Sequence, residues 1–266
     1  MSGRLLVALD IDGTVLTETG ELREDVASEV ARVVALGNEV TLATGRSVAA
    51  TLPVLERLGI TPEYVVCSNG AVTLRRDETA AVGYSREFVE TFVPGEVLPT
   101  LRQYLDDVNY AVEEPDGVFR YVGSFPDGVL GEITKLVTFD ELLEAPATRV
   151  VVISPNHELE EFLNLVSQMG LHQVSYNVGW AAWLDIAPEG VNKATALERV
   201  RGLLNISADD LVAIGDGRND IEMLHWAGAR GRGVAMAQAP DEVLASATEV
   251  TASDLDGGVA QVLATL

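Results

Sequence analysis

Asp10-Ile11-Asp12-Gly13-Thr14 follows the apolar run Val7-Ala8-Leu9, so two carboxylates stand two residues apart where a strand should end. In an extended chain such positions face the same side, which is expected to point both aspartates into one space. Gly13 lets the backbone turn sharply after them. Paired buried carboxylates are costly unless a cation or a proton is shared between them, and that chemistry suits metal binding or acid–base work. The same residues also fit a plain turn, since Asp-Gly is common there.

Other residues of the same chemical kind fall at equivalent places. Thr44-Gly45-Arg46 follows Glu39–Ala43, and Ser68-Asn69-Gly70-Ala71 follows Tyr64–Cys67. Gly215-Asp216-Gly217-Arg218-Asn219-Asp220 follows the buried run Leu211–Ile214, and Lys193 begins a helix. A lysine at a helix start opposes the dipole, a small cost that hints at a purpose. Asp216-Gly217 also fits a turn, and Asn219 or Asp220 is expected to cap the next helix.

The elements that carry these ends read as strands alternating with helices. Leu22, Val26, Val30, Val33 and Val34 recur at helical spacing, as do Val48, Leu52, Leu55 and Leu58, with Pro53 marking a kink or a late start. This rhythm predicts an α/β fold, a doubly wound, mostly parallel Rossmann-like sheet that binds ligands beyond the carboxyl ends of its strands. From about residue 84 the texture changes to short runs broken by Pro and Gly. Strands are expected at Val118–Tyr121, Thr148–Ile153, Val174–Val178 and Ala181–Ile186, with a helix at Glu158–Met169. The predicted organisation is a core at 1–83 and 186–266 with an inserted α+β cap at 84–185. After the cap, Asn192–Leu204 and Ile221–Ala227 are expected to be helical, then a strand Gly233–Met236 and a helix Pro240–Ala247.

Composition removes several classes of function. A formal net charge of -23 on 266 residues argues against a nucleic-acid surface or an anionic membrane, since both require patches of Lys and Arg. An anionic ligand must be drawn in by local cations or a metal. The lone Cys67 excludes an internal disulfide and sits in an apolar run, as a buried strand residue would. His157, His172 and His225 show no ligand spacing. No secretory segment or membrane-length apolar run is present, so the expectation is a soluble cytoplasmic protein, monomer or homodimer. Arg230 and Arg232 read as loop charges, not a dinucleotide loop.

With these motifs in order, the chain resembles the haloacid dehalogenase superfamily of phosphatases, in its Cof-type subfamily with a large inserted cap. The resemblance rests on Asp10–Thr14, Ala43–Arg46, Asn69–Ala71, Gly190–Lys193 and Gly215–Asp220, with the tails Gly233–Met236 and Asp256–Ala260. It implies a Mg2+-dependent phosphomonoesterase acting on a small phosphorylated metabolite, a sugar phosphate by preference, through an aspartyl-phosphate. Asp10 would be the nucleophile and Asp12 the general acid and base, helped to hold its proton by the neighbouring carboxylates. Side chains of Asp10 and Asp216 with the carbonyl of Asp12 would hold the metal. Lys193 would face the developing charge, Thr44, Gly45 and Asn69 would meet the phosphate, and Asn219 would meet the phosphate or a metal-bound water. Asp220 would orient Lys193 or a water, while Arg46 would either touch substrate or anchor its loop. The cap would select the leaving group, with Glu113, Tyr176, Asn177 and Trp180 as candidates. Trp180 and Trp183 suit cap packing better than pocket lining. A phosphosugar mutase of the same superfamily and a non-catalytic phosphometabolite-binding module are the alternatives.

Overall fold

The opening apolar run forms strand β1 (Leu6–Leu9), with all four residues buried. Helix α1 (Glu24–Ala35) lays Val26, Val30 and Val33 on the core and puts Glu24 and Asp25 in its first turn, where the dipole favours acids. Strand β2 (Glu39–Leu42) and helix α2 (Val48–Leu58) follow. Pro53 lies inside α2 rather than at its start. Strand β3 (Tyr64–Cys67) then continues into β4 (Val72–Arg76) and β5 (Tyr84–Val89), a three-stranded sheet of order β3-β4-β5. Strand β4 has no counterpart in the reading above. β3 still joins the core, through a parallel bridge between Ala43 and Val66. The computed structural model describes the chain apart from residues 1–2, 106, 127–129, 131–132, 157, 170–173 and 179–181, with the backbone alone at 159, 163 and 174–178. His157, His172 and Trp180 therefore lie outside the described residues, as do the side chains of Tyr176 and Asn177.

The insertion is an α+β unit. Its strands are β6 (Asn109–Glu113), β7 (Phe119–Val122), β8 (Thr134–Leu136), β9 (Arg149–Ile153), β10 (Val174–Val178) and β11 (Trp183–Pro188). They form one sheet of order β10-β11-β9-β6-β7-β8, antiparallel except for β7 with β8. Alternation sends Tyr110, Val112, Val150, Val152, Leu184 and Ile186 to one face, against helices α3 (Leu98–Tyr104), α4 (Phe139–Leu142) and α5 (Leu159–Gln168). The other face carries Ala111, Phe119 and Val151, with Trp183 packed against them, so Trp183 takes the packing role. Glu113 is fully buried and accepts from Arg149 Nε at 3.1 Å, across the β6–β9 pair. This cross-strand ion pair turns Glu113 from a candidate for substrate contact into part of the cap interior.

The βα rhythm returns with α6 (Lys193–Leu203), β12 (Leu211–Gly215), α7 (Ile221–Gly228), β13 (Arg232–Ala235), α8 (Asp241–Ser246), β14 (Glu249–Val250) and α9 (Gly258–Leu263). The core sheet has order β14-β13-β12-β1-β2 and every pairing is parallel. From β1 the chain winds towards β2, whereas from β12 it winds the other way. That reversal is a topological switch point, where the loops diverge and leave a crevice. Asp10 and Asp216 follow the two strands that flank it. The chain divides into a unit of Met1–Arg46, Ala50–Phe88 and Asn192–Leu266, and a second of Ser47–Ala49 and Val89–Val191. Residues 84–88 go with the core because β5 extends the β3–β4 sheet. Among the described residues, no helix is long and apolar enough to cross a membrane.

Candidate active site

Lys193 is the centre of the site, although it lies 183 residues from Asp10. It is the first residue of α6, and Asn192 caps that helix by accepting from the Thr195 N–H at 2.9 Å. The side chain is fully buried, and its Nζ donates to Asp10 Oδ1 at 2.6 Å and to Asp220 Oδ1 at 2.7 Å. Lengths of this order mark charge-assisted bonds. Burial works against the charge, but Asp10 and Asp220 outweigh it and hold the ammonium above the ordinary lysine range. The helix-start cost noted above is thus offset by two carboxylates.

Asp220 binds in two directions. Its Oδ2 accepts from the N–H groups of Asp216 and Gly217 at 3.0 and 2.9 Å, while Oδ1 holds Lys193. It occupies the N-cap position of α7 without capping it, because its carboxylate is turned back to the loop. Asn219 does not cap α7 either: its Nδ2 donates to Asn69 Oδ1 at 2.9 Å. Neither side chain therefore caps α7, and both bond to the neighbouring loops and Lys193 instead.

Asp216 is buried and accepts from the Thr14 hydroxyl at 2.9 Å. Gly13 stands against it with φ +72°, and a Cβ there would fall under 3.0 Å from the carboxylate. Only glycine meets both demands cheaply. Carboxylate oxygens of Asp10, Asp216 and Asp220 lie within 4.8 Å of one another. Burial pushes the Asp10 carboxyl up to about 7, with Lys193 pulling it down and Asp220 and Asp12 adding to the rise. Burial, followed by Asp10 and Asp220, pushes Asp216 up to about 8. Three carboxylates thus share one ammonium. An all-oxygen donor set with surplus negative charge fits a hard divalent cation such as Mg2+.

Asp12 departs from the expected arrangement. β1 stops at Leu9, so the strand alternation that was to align the two aspartates no longer applies at Asp12. Its side chain is 60% exposed, outside the buried cluster, and is paired with Arg46 rather than with a carboxylate. Arg46 donates from Nε to Oδ2 at 2.9 Å and from Nη2 to Oδ1 at 2.5 Å, a two-pronged fork. In this structure Arg46 is anchored to Asp12.

Thr44 is buried after β2, and its Oγ1 accepts from the Arg46 N–H at 3.1 Å. Asn69 N–H donates to the Thr44 carbonyl and Ser68 N–H to the Arg46 carbonyl, at 2.9 and 2.8 Å. Ser68 and Asn69 hold left-handed φ of 48° and 53°, a strained pair of the kind that collects at functional sites. A Cβ on Gly70 would strike the Asn192 carbonyl, so this turn packs directly on the start of α6. Gly45 lies close to Asn69 in the same cluster. Thr14 and Gln238 were missed in the sequence. Thr14 was legible as part of the Asp-Gly-Thr run, whereas nothing local marked Gln238, whose Nε2 donates to the Gly13 carbonyl at 2.6 Å.

Comparison with known proteins bears out the family resemblance. The family model of haloacid dehalogenase-like hydrolases matches residues 7–263. This chain belongs to the haloacid dehalogenase-like hydrolase family. It is similar to 5-amino-6-(5-phospho-D-ribitylamino)uracil phosphatase YitU of Bacillus subtilis, at 24% identity over 97% of this chain and 96% of the relative. It is also similar to pyridoxal phosphate phosphatase YbhA of Escherichia coli, at 27% identity over 96% of both chains. Among solved structures, the subclass IIB sugar phosphatase BT4131 shares the fold with a TM-score of 0.81 at 20% identity, covering 98% of both chains. The haloacid dehalogenase-like core with its cap is thus the architecture of this enzyme.

Proposed function

We propose that the enzyme is a Mg2+-dependent phosphomonoesterase acting on a small phosphorylated metabolite through an aspartyl-phosphate on Asp10. The observation that carries this reading is the buried Lys193 bonded to both Asp10 and Asp220, with Asp216 completing a cluster of three carboxylates. Asp10 and Asp216, with the backbone carbonyl of Asp12, would hold the metal. Bound Mg2+ would supply positive charge to the phosphoryl oxygens. A carboxylate oxygen of Asp10 attacks phosphorus as the ester O–P bond breaks, and Asp12 gives its proton to the leaving alcohol. Asp12 then takes a proton from the water that attacks the aspartyl-phosphate, releasing phosphate and free Asp10. Lys193 keeps its charge through both steps and faces the phosphoryl group together with the Thr44 hydroxyl. Asn69 and Asn219 hold the phosphate side of the loops, and Asp220 keeps Lys193 in place. The Arg46 fork must open before Asp12 can act as an acid, and an arriving phosphate offers Arg46 an alternative anionic partner.

A sugar phosphate is the first substrate to test. The relatives' activities extend the screen to phosphorylated heterocycles of the ribitylaminouracil and pyridoxal type. The decisive experiment is release of phosphate from an aryl phosphate with Mg2+ and with chelator, in wild type and in Asp10→Asn. Loss of turnover in both the chelator and the variant is expected. Full activity in Asp10→Asn overturns the nucleophile assignment, and isomerisation of a hexose phosphate without phosphate release replaces hydrolysis with mutase chemistry.

A further inference from the structure

Gln238 lies on the loop that leaves β13, three residues beyond its last residue, Ala235. In the core sheet β12 separates β13 from β1, so reaching the β1 loop means crossing about 10 Å at two strand spacings. The side chain of Gln238 completes that crossing. Its Nε2 donates to the Gly13 carbonyl at 2.6 Å, and its Oε1 accepts from the Asp254 N–H at 3.2 Å. Only one orientation of the amide satisfies both partners. Asp254 is fixed in turn by the N–H groups of Glu18 at 3.1 Å and Leu255 at 2.9 Å. The tether therefore runs from an anchored loop to the peptide that joins Gly13 to Thr14. That peptide is the one on which Asp216 leans, through the bare Cα of Gly13 and the hydroxyl of Thr14.

We propose that Gln238 is a positioning residue whose donation to the Gly13 carbonyl sets the Asp12–Thr14 turn against Asp216. In doing so it sets the oxygen donors that would hold Mg2+. The turn has a left-handed residue at its centre and stands against Asp216, one of three carboxylates whose oxygens lie within 4.8 Å of one another. A neutral amide that grips the backbone fixes the turn there without adding charge. The importance of the tether for catalysis rests on the phosphatase reading above, whereas its effect on metal binding can be read without turnover.

Two variants separate the parts of the amide. Gln238→Met removes donor and acceptor at similar length, while Gln238→Glu keeps an acceptor for Asp254 and loses the donor to Gly13. Mg2+ binding to the full chain is measured by calorimetry, with the melting temperature in chelator alongside. Gln238→Met is expected to bind Mg2+ about fivefold more weakly, the fold-change for one hydrogen bond, whereas the added charge in Gln238→Glu offsets part of that loss. In chelator the melting temperature should fall by only about 2–4 °C for each bond lost. In the aryl phosphate assay the Mg2+ half-saturation should rise and kcat fall, with KM changed by less than about twofold. Wild-type Mg2+ affinity in Gln238→Met overturns the proposal even if the enzyme is an active phosphatase. A wild type that binds Mg2+ and turns over no phosphate ester defeats the phosphatase reading, and the calorimetric comparison still decides the tether. If the Met variant does not fold, Gln238→Leu, which also lacks both polar atoms, decides in its place.

Discussion

Lys193→Met is the sharpest perturbation of this site. The substitution keeps an unbranched side chain of similar length in α6 and removes two bonds, of 2.6 Å to Asp10 and 2.7 Å to Asp220. Three carboxylates within 4.8 Å then stand without the one ammonium they share. Removing one partner of a buried ion pair costs about 3–5 kcal/mol, because the other charge stays buried and uncompensated. The variant also recovers the desolvation cost of the lysine, so the lower end, about 3 kcal/mol, is the working figure. That is a large share of the roughly 5–15 kcal/mol by which domains are stable. The assay is urea unfolding in chelator near neutral pH, repeated with millimolar Mg2+ and with Lys193→Met/Asp220→Asn. The double variant should regain part of the loss, since it removes one surplus charge while an amide oxygen can still accept from Asp216 and Gly217. Turnover on an aryl phosphate should fall by about 100-fold or more, the usual cost of losing one donor to developing charge. A variant as stable as wild type in chelator, with more than about a tenth of its activity, refutes the argument.

Three further outcomes follow from the same geometry. Asp10 and Asp216 are raised from 3.8 to about 7 and about 8, so the folded metal-free protein binds more protons than the unfolded chain across about pH 4–8. Its stability should fall as pH rises through that window and Mg2+ should flatten the fall; a metal-free melting temperature that rises over the window contradicts it. Gly13→Ala forces a Cβ onto the Asp216 carboxylate at φ +72° and should cost about 1–2 kcal/mol, with a marked loss of turnover, measured by melting and by phosphate release. In the cap, Arg149→Met removes the guanidinium that donates to the buried Glu113 and that counters the burial raising the Asp185 carboxyl. It should destabilise by about 3 kcal/mol in urea unfolding, and an unchanged midpoint argues against a structural role for this pair.

The sequence alone determined the parallel α/β core and the chemical types gathered at its strand ends. Apolar runs such as Leu6–Leu9 and helical spacing such as Val26, Val30 and Val33 are local, and burial confirms them because period and buried face are the same quantity read twice. Asp10, Thr44, Asn69 and Asp216 were legible for the same reason, since each follows an apolar run. β4 was not, because its exposed Arg75 and Arg76 and the left-handed turn at Ser68–Asn69 interrupt the pattern. The partners of those side chains were decided only by the fold. Lys193 meets Asp10 across 183 residues, Gln238 meets Gly13 across 225, and Arg46 meets Asp12 across 34. No local propensity encodes such pairs, because they depend on the order of strands in the sheet and on where each loop turns. Most telling are Asp10 and Asp12. Two residues apart and chemically identical, they divide into a buried group bound to lysine and an exposed group bound to arginine, because β1 ends one residue before the first of them.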